Sequence, residues 1–75
     1  MHLMANVLVF RTNINSFSRL YRAANLMCHL QHSVSGWNVD MEDCNYALRI
    51  ETDWVTEAEV VRLMRLAGLN CDPLD

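Results

Sequence analysis

The spacing of hydrophobic and polar residues changes along the chain and predicts the order of its secondary-structure elements. Residues 4–11 contain the run Val7, Leu8, Val9 and Phe10 with no breaking residue, which predicts a β-strand. Both alternating faces of this segment are apolar, so we expect the strand to lie inside its sheet and not at an edge.

From residue 15 or 16 to about residue 31, the apolar residues recur with a helical period. Asn15 and Ser16 are both residue types that cap helix N-termini well. The expected buried face carries Phe17, Leu20, Ala24, Met27 and Leu30, and the expected solvent face carries Ser18, Arg22, Asn25, His29 and His32. The pattern therefore predicts an amphipathic helix that packs on a flat surface.

Two segments of alternating residues come next, at positions 34–41 and 46–52. Their apolar faces are formed by Trp37, Val39 and Met41 in the first segment and by Tyr46, Leu48 and Ile50 in the second. Residues 42–45 between them are polar and turn-prone, which predicts a β-hairpin.

A second helix begins at the capping box formed by residues 56–59, Thr-Glu-Ala-Glu. Its expected buried stripe is Val60, Leu63, Met64 and Ala67, and its expected solvent face includes Ala58, Arg62 and Arg65. Gly68 is placed to end this helix in the left-handed conformation. A short edge strand at residues 69–71 is expected to follow, before Pro73 stops the pairing.

The element order is therefore β-α-β-β-α, with a possible short last strand. This order predicts an α+β, ferredoxin-like sandwich with two helices on one face of a mixed, mainly antiparallel sheet. We expect residues 1–75 to form a single domain, because no repeat, linker or low-complexity segment interrupts the pattern.

The amino-acid composition argues against several classes of protein. The chain is 52% hydrophobic with only two Gly and one Pro, which argues against disorder and against a disulfide-stapled scaffold. Cys28, Cys44 and Cys71 are too widely spaced to form a metal-binding or redox couplet, which favours reduced thiols in a cytoplasmic protein. No apolar run approaches the roughly 20 residues that cross a bilayer, so membrane insertion is not expected.

The charges argue against nucleic-acid binding. Six arginines and nine acidic residues give a net charge of −3. The arginines are scattered, whereas binding to DNA or RNA depends on positive charge that is clustered on one face.

Three segments together resemble a known family. They are residues 7–14 (Val-Leu-Val-Phe-Arg-Thr-Asn-Ile), residues 34–41 (Val-Ser-Gly-Trp-Asn-Val-Asp-Met), and residues 60–69, which end in Ala-Gly-Leu. In this order and spacing they resemble the heavy-metal-associated (HMA) domain of copper chaperones and metal-pumping ATPases. The resemblance implies the same ferredoxin-like fold and a loop that binds Cu(I) or Zn(II) through two thiolates in the pattern G-M-T-C-x-x-C.

The resemblance also shows where this chain departs from the family. Asn13 aligns with the family's glycine, Ile14 with its methionine and Asn15 with its threonine, while Ser16 and Arg19 take the positions of the two cysteines. A hydroxyl is a poor ligand for a soft metal ion, and a guanidinium repels cations and stays protonated. We therefore expect no metal at the family loop, whereas Ile14 should keep the loop anchored to the core.

A relocated metal site is the alternative. Cys28 and His32 are four residues apart, and His29 and His32 three apart, so each pair could lie on one helical face. No third or fourth ligand stands nearby in the sequence. The other interpretation is a thiol at the edge of the buried face and two histidines that interact favourably with the C-terminal end of the helix dipole.

Catalytic chemistry is not expected. The serines lack a Gly-x-Ser-x-Gly context, and no base is placed by the sequence to activate them. There is no glycine-rich phosphate loop. We therefore expect no catalytic residue and no cofactor, and the protein is not expected to be an enzyme.

Binding to a protein partner, or to a second copy of the chain, is the remaining function. One row of the first strand, either Ala5, Val7 and Val9 or Leu8 and Phe10, should lie on the sheet face that no helix covers, beside Asn38, Asp40, Arg49 and Glu51. Phe17, at the loop with which the family meets partners, either joins a contact surface or turns inward. Trp54 or Val55 is expected to staple the second helix, whereas an exposed Trp54 beside Ile14 or Phe17 would instead join such a surface.

Overall fold

The computed structural model describes residues 6–74, which form four strands and two helices. The elements are β1 (Asn6–Thr12), α1 (Phe17–His29), β2 (Val34–Val39), β3 (Leu48–Thr52), α2 (Glu57–Leu66) and β4 (Cys71–Pro73). Met4 and Ala5, which the sequence assigned to the first strand and its apolar row, lie outside the described residues.

The strands form one sheet in the order β2-β3-β1-β4, and all three pairings are antiparallel. The apolar strand β1 lies between β3 and β4, as its two apolar faces predicted. Phe10 lies opposite Leu48 and Leu8 opposite Ile50, so these side chains share one face of the sheet. The predicted ferredoxin-like α+β fold is confirmed, including its fourth strand, but every described pairing is antiparallel, so the expectation of a mixed sheet is wrong.

Both helices pack on this one face. Phe10, Leu48 and Ile50 are completely buried and form the floor of the core. The core is completed by Ala23 and Met27 from α1, Val60 and Met64 from α2, and Ile14, Leu69 and Cys71 from the rest of the chain. Trp37 is half-buried and packs against this cluster, which agrees with its predicted place on the apolar face of its strand.

The helix starts are set by the side chains that the sequence indicated. The Oγ of Ser16 accepts a hydrogen bond from the backbone N–H of Arg19, so Ser16 is the N-cap of α1. Thr56 and Glu59 form the reciprocal capping box at the start of α2. After α2, Gly68 has φ of 82°, the left-handed conformation expected of it.

Helix α1 ends two residues earlier than predicted, at His29 instead of residue 31. The carbonyl oxygen of Leu30 accepts hydrogen bonds from the N–H groups of Ser33 and Val34. These bonds close a turn that leads into β2. His32 therefore lies in this turn and not on the helix.

The predicted hairpin strands are too long. β2 ends at Val39 instead of residue 41, and β3 begins at Leu48 instead of residue 46. Tyr46 has a positive φ of 45°, which a strand does not allow, and its carbonyl oxygen accepts a hydrogen bond from the Thr12 hydroxyl. The connection between the strands is therefore longer than residues 42–45.

The last strand also differs from the prediction. β4 spans Cys71–Pro73 instead of residues 69–71, and Pro73 lies opposite Phe10. Proline does not stop the pairing here, because β4 is at the edge of the sheet, where a missing N–H is tolerated if it faces outward.

Candidate functional site

The loop between β1 and α1 is held to the core at its first residues. Ile14 is completely buried, which confirms that it anchors the loop. The Thr12 hydroxyl accepts a hydrogen bond from the N–H of Ile14 at 3.0 Å and donates one to the carbonyl oxygen of Tyr46 at 2.6 Å. The loop is thereby fixed both to itself and to the β2–β3 connection.

The side chain of Arg19 lies over this loop. Its guanidinium donates a hydrogen bond to Oδ1 of Asn15 at 2.6 Å and another to the carbonyl oxygen of Asn13 at 3.3 Å. The side chain therefore brings a permanent positive charge onto the loop's own oxygen atoms. Ser16 uses its Oγ to cap α1.

Asn13 connects the loop to the far end of the chain. Its side-chain Oδ1 accepts a hydrogen bond at 2.9 Å from the N–H of Asn70, in the turn between α2 and β4. The loop is thus bound to two other connections, through Thr12 and through Asn13. These bonds and those of Arg19 could not be predicted from the sequence, because they depend on the path of the loop backbone.

Phe17 is 74% exposed, so the expected burial on the apolar face of α1 is wrong for this residue. The buried side of the helix is centred on Ala23 and Met27. At about 100° per residue, Phe17 points about 120° away from Ala23 and so lies outside the contact with the sheet. Tyr21, one turn further on, is 71% exposed and was not singled out by the sequence pattern.

The helical spacing that suggested a relocated metal site is not found in the structure. Cys28 and His29 are exposed in the last turn of α1, and His32 lies beyond its end. The expectation that Cys28 borders the buried face is also not met. Within residues 6–74, no group of three or more His, Cys, Asp or Glu side chains is arranged to hold a metal ion.

Cys71 differs from the other two cysteines. It is completely buried between the sheet and the helices, whereas Cys28 and Cys44 are exposed. Burial, together with the nearby Asp72 carboxylate, raises the pKa of the Cys71 thiol to about 12, although Arg65 acts in the opposite direction. A thiol that stays protonated is a poor nucleophile and a poor metal ligand.

The uncovered face of the sheet carries the row that includes Val7 and Val9. Val7 is 46% exposed and lies opposite Glu51, and Val9 is half-buried and lies opposite Arg49. We call these four residues the open-face patch. The second predicted row, Leu8 and Phe10, faces the helices instead. Asn38 lies opposite Arg49 on the neighbouring strand and adds a further polar side chain beside the patch.

Trp54 is 77% exposed but lies far from Phe17. The antiparallel pairing places Thr52, just before Trp54, opposite Asn6, whereas Phe17 follows the other end of β1. Trp54 instead lines a small cleft that His32 also borders. Val55, not Trp54, packs against the core beside α2. The predicted interaction residues are therefore spread over three separate parts of the surface.

A further apolar surface, not found from the sequence, runs between α2 and β4. Val61, the 75% exposed Leu66, and Pro73 line this groove. Arg65 and Asp72 lie at its side and form an ion pair at 2.8 Å with both side chains largely exposed. Such an exposed pair adds little to stability.

A comparison with solved structures supports the fold. The chain is similar to the apo form of the HMA domain of the copper chaperone for superoxide dismutase, with a TM-score of 0.73 and 13% sequence identity. The similarity covers 100% of this chain and 74% of that chain. No protein-family model matches the sequence, and no curated protein matches it. At this identity, the likeness is one of fold.

Neither helix of the described part of the chain is long and apolar enough to cross a membrane.

Proposed function

We propose that residues 1–75 form one HMA-like domain that acts as a non-enzymatic binding module and no longer carries a metal ion at its β1–α1 loop. The observation that carries the proposal is the position of Arg19. Its guanidinium is bonded to Asn13 and Asn15 within the loop, where the HMA resemblance places a thiolate ligand. The fold is retained and the chemistry of the loop is replaced.

Two physical effects oppose a metal ion there. An approaching cation is repelled by the guanidinium, which stays charged at every physiological pH. Ser16 offers a hydroxyl that already accepts the N–H of Arg19. Soft ions such as Cu(I) prefer thiolates, so the loop lacks both the charge and the ligand type that they need.

The open-face patch supports the binding part of the proposal. Val7 and Val9 form an apolar centre, and Arg49 and Glu51 bring both signs of charge beside it. An apolar centre with a polar margin is the general composition of protein interfaces. We propose that this patch contacts a protein partner. No residue is assigned a catalytic role.

The alternative function is a copper or zinc carrier that uses Cys28, His29 and His32. The exposure of all three residues favours it, since exposed ligands are accessible to an ion. The end of α1 at His29 weighs against it, because a shared helical face then no longer brings His32 to Cys28.

Titration of the reduced protein with Cu(I) and with Zn(II) separates these functions. We expect no stoichiometric binding of either ion at submicromolar affinity. Tight binding that Ser16→Ala abolishes would refute it, because the ion would then sit at the loop. Tight binding that is lost in Cys28→Ala and His32→Ala but kept in Ser16→Ala would establish the alternative carrier.

The open-face patch is tested by charge insertion. Val7→Lys and Val9→Lys place an ammonium in the apolar centre and should weaken binding of a protein partner at this face of the sheet. Ser18→Lys, on the exposed side of α1, is the matched control. Association that is unchanged in both valine variants would remove the patch from the proposal.

A further inference from the structure

The two edges of the sheet are protected to different degrees. β4 has three residues, includes Pro73, which has no N–H to offer, and carries the charged Asp72. β2 has six residues, Val-Ser-Gly-Trp-Asn-Val, with neither a charge nor a proline. Short length, charge and proline are the usual means by which proteins stop an edge from pairing with another strand. Only the β4 edge uses them.

The exposed edge of β2 is regular over most of its length. Within residues 6–74, β2 pairs only with β3, so its outer side has no strand partner. A register shift between Val34 and Gly36 marks a bulge at the start of the strand, and the rest pairs without interruption as far as Val39. Unpaired main-chain N–H and C=O groups along such a segment match another extended strand.

An exposed stripe on α1 lies beside this edge. Phe17, Tyr21, Ala24 and Cys28 are spaced by four, three and four residues, which places them on one side of the helix. Phe17, Tyr21 and Cys28 are exposed, and Ala24 is half-buried. None of them is charged. We call these four residues the α1 stripe.

The direction of the α1 stripe follows from Arg22. The Arg22 guanidinium reaches Gly68 at the end of α2, where it lies 3.2 Å from the position that a Cβ would take. Arg22 therefore marks the side of α1 that faces α2. The α1 stripe lies roughly 100° or more around the helix from Arg22 and away from α2. Since α1 lies against β2, the stripe is on the β2 side.

The α1 stripe is complementary to itself. Phe17 and Cys28 are equally far from a point between Arg22 and Ala23, and so are Tyr21 and Ala24. A twofold axis at that point would place each large aromatic side chain opposite a small side chain of a second copy. In a twofold interface every contact occurs twice, so packing each aromatic side chain against a small one fills both halves of the interface.

We propose that two copies of this chain pair through their β2 edges in an antiparallel manner, with the two α1 stripes packed against each other across a twofold axis. The proposal rests on the binding-module function above and names a second copy as a partner that binds at the β2 edge and the α1 stripe, a surface separate from the open-face patch. It joins the two four-stranded sheets into one continuous sheet. Because neither β2 nor the α1 stripe is charged, the copies meet there without like-charge repulsion, despite the net charge of −3.

Sedimentation velocity over a micromolar to millimolar range tests the pairing. The wild-type chain should form a dimer whose population rises with concentration. Tyr21→Arg, and separately Ala24→Arg, should weaken the dimer at least about tenfold. The first removes a large side chain and adds repulsion, and the second fills the space that the partner's Tyr21 needs. Ser18→Arg adds the same charge on the solvent side of α1 and should leave the dimer intact.

A crosslinking experiment tests the register. In a Cys44→Ser background, Phe17→Cys should give a covalent dimer with a short thiol-to-thiol crosslinker, through the native Cys28 of the second copy. Adding Cys28→Ser should abolish the product. Within one chain these two positions are eleven residues apart, about 16 Å along the helix, so crosslinking inside a single copy is disfavoured.

The outcomes separate this inference from the proposed function. A chain that stays monomeric throughout overturns the pairing. So does a dimer that persists in Tyr21→Arg and Ala24→Arg but is lost in Val7→Lys, although the binding-module function then stands. An extended segment of another protein that binds β2, with no dimer of the chain itself, also overturns it. Metal titration, which tests the loop, is independent of all these results.

Discussion

The guanidinium of Arg19 lies 2.6 Å from Oδ1 of Asn15, one helical turn before it. Asn15 is not part of α1, so this bond connects the first turn of the helix to the loop that precedes it. The same guanidinium also reaches the carbonyl oxygen of Asn13. A side chain of the protein thus supplies a positive charge to the loop between β1 and α1.

Replacing Ser16 and Arg19 by cysteine should create a metal site. In Ser16→Cys/Arg19→Cys the repelling charge is gone, and two thiols face each other across the first turn of α1, where the helix dipole favours thiolates. We expect stoichiometric Cu(I) binding at submicromolar affinity, measured by competition with a chromophoric Cu(I) chelator.

Two variants control this experiment. Ser16→Cys alone keeps the guanidinium and should bind Cu(I) far more weakly than the double variant. In a Cys28→Ser background, which removes the native thiol three residues after Asn25, Ser18→Cys/Asn25→Cys also adds two thiols, but about 10 Å apart along the helix, too far to share an ion. If this distant pair bound Cu(I) as tightly as the adjacent pair, the gain would not come from the loop.

The Ser16 cap contributes directly to stability. Its Oγ accepts the N–H of Arg19, which has no acceptor within the helix. Ser16→Ala should lower the free energy of unfolding by about 1 kcal/mol, as measured by urea denaturation. Ser16→Asp keeps an acceptor oxygen at the same point and should recover most of that loss. Equal losses in both variants would show that the cap is not the cause.

The elements predicted best are those encoded by neighbouring residues. The capping box of Thr56 and Glu59 and the left-handed Gly68 act within a few positions of themselves, so the bounds of α2 could be read from the sequence. Tyr46 and Pro73 could not be placed in this way. The β2–β3 connection depends on the bond from Thr12 to Tyr46, and the pairing of Pro73 depends on β4 being an edge.

The candidate site was predictable only in part. The HMA resemblance identified Ile14 as an anchor and Arg19 as a departure from the family. It could not show that Arg19 turns onto the loop, because that depends on backbone directions at Asn13 and Asn15. Periodicity likewise grouped Phe17 with the buried face, since an apolar arc on a helix does not reveal how far the sheet extends beneath it.

Cys71 should be the unreactive thiol and should make stability depend on pH. In the native protein, a thiol reagent should label Cys28 and Cys44 rapidly and Cys71 only after unfolding.

The pKa of Cys71 rises from 9.0 to about 12 on folding, so the folded state holds the proton more tightly. This contribution to the free energy of unfolding is complete below pH 9 and is lost as the pH rises towards 12, by at most about 1.4 kcal/mol per pH unit.

Urea denaturation near pH 8 and near pH 10 measures this effect. The wild type should lose more stability between the two conditions than Cys71→Ala, which has no thiol to ionise. The alanine variant will be less stable at both values because it leaves a cavity, so the comparison uses the pH difference within each protein. Parallel losses in the two proteins would show that another group is responsible.

Asn13 should hold the β1–α1 loop against the turn that follows α2. Its Oδ1 accepts the N–H of Asn70 at 2.9 Å, a contact between residues 57 positions apart. Asn13→Ala removes the acceptor and should cost about 1 kcal/mol of stability, with faster hydrogen exchange of the Asn70 amide as the specific sign. Asn13→Asp keeps an oxygen at that position and should preserve the slow exchange. If the Asn70 amide exchanged equally fast in wild type and Asn13→Ala, while that of the core residue Ile50 stayed slow in both, the two connections would not be held together by this bond.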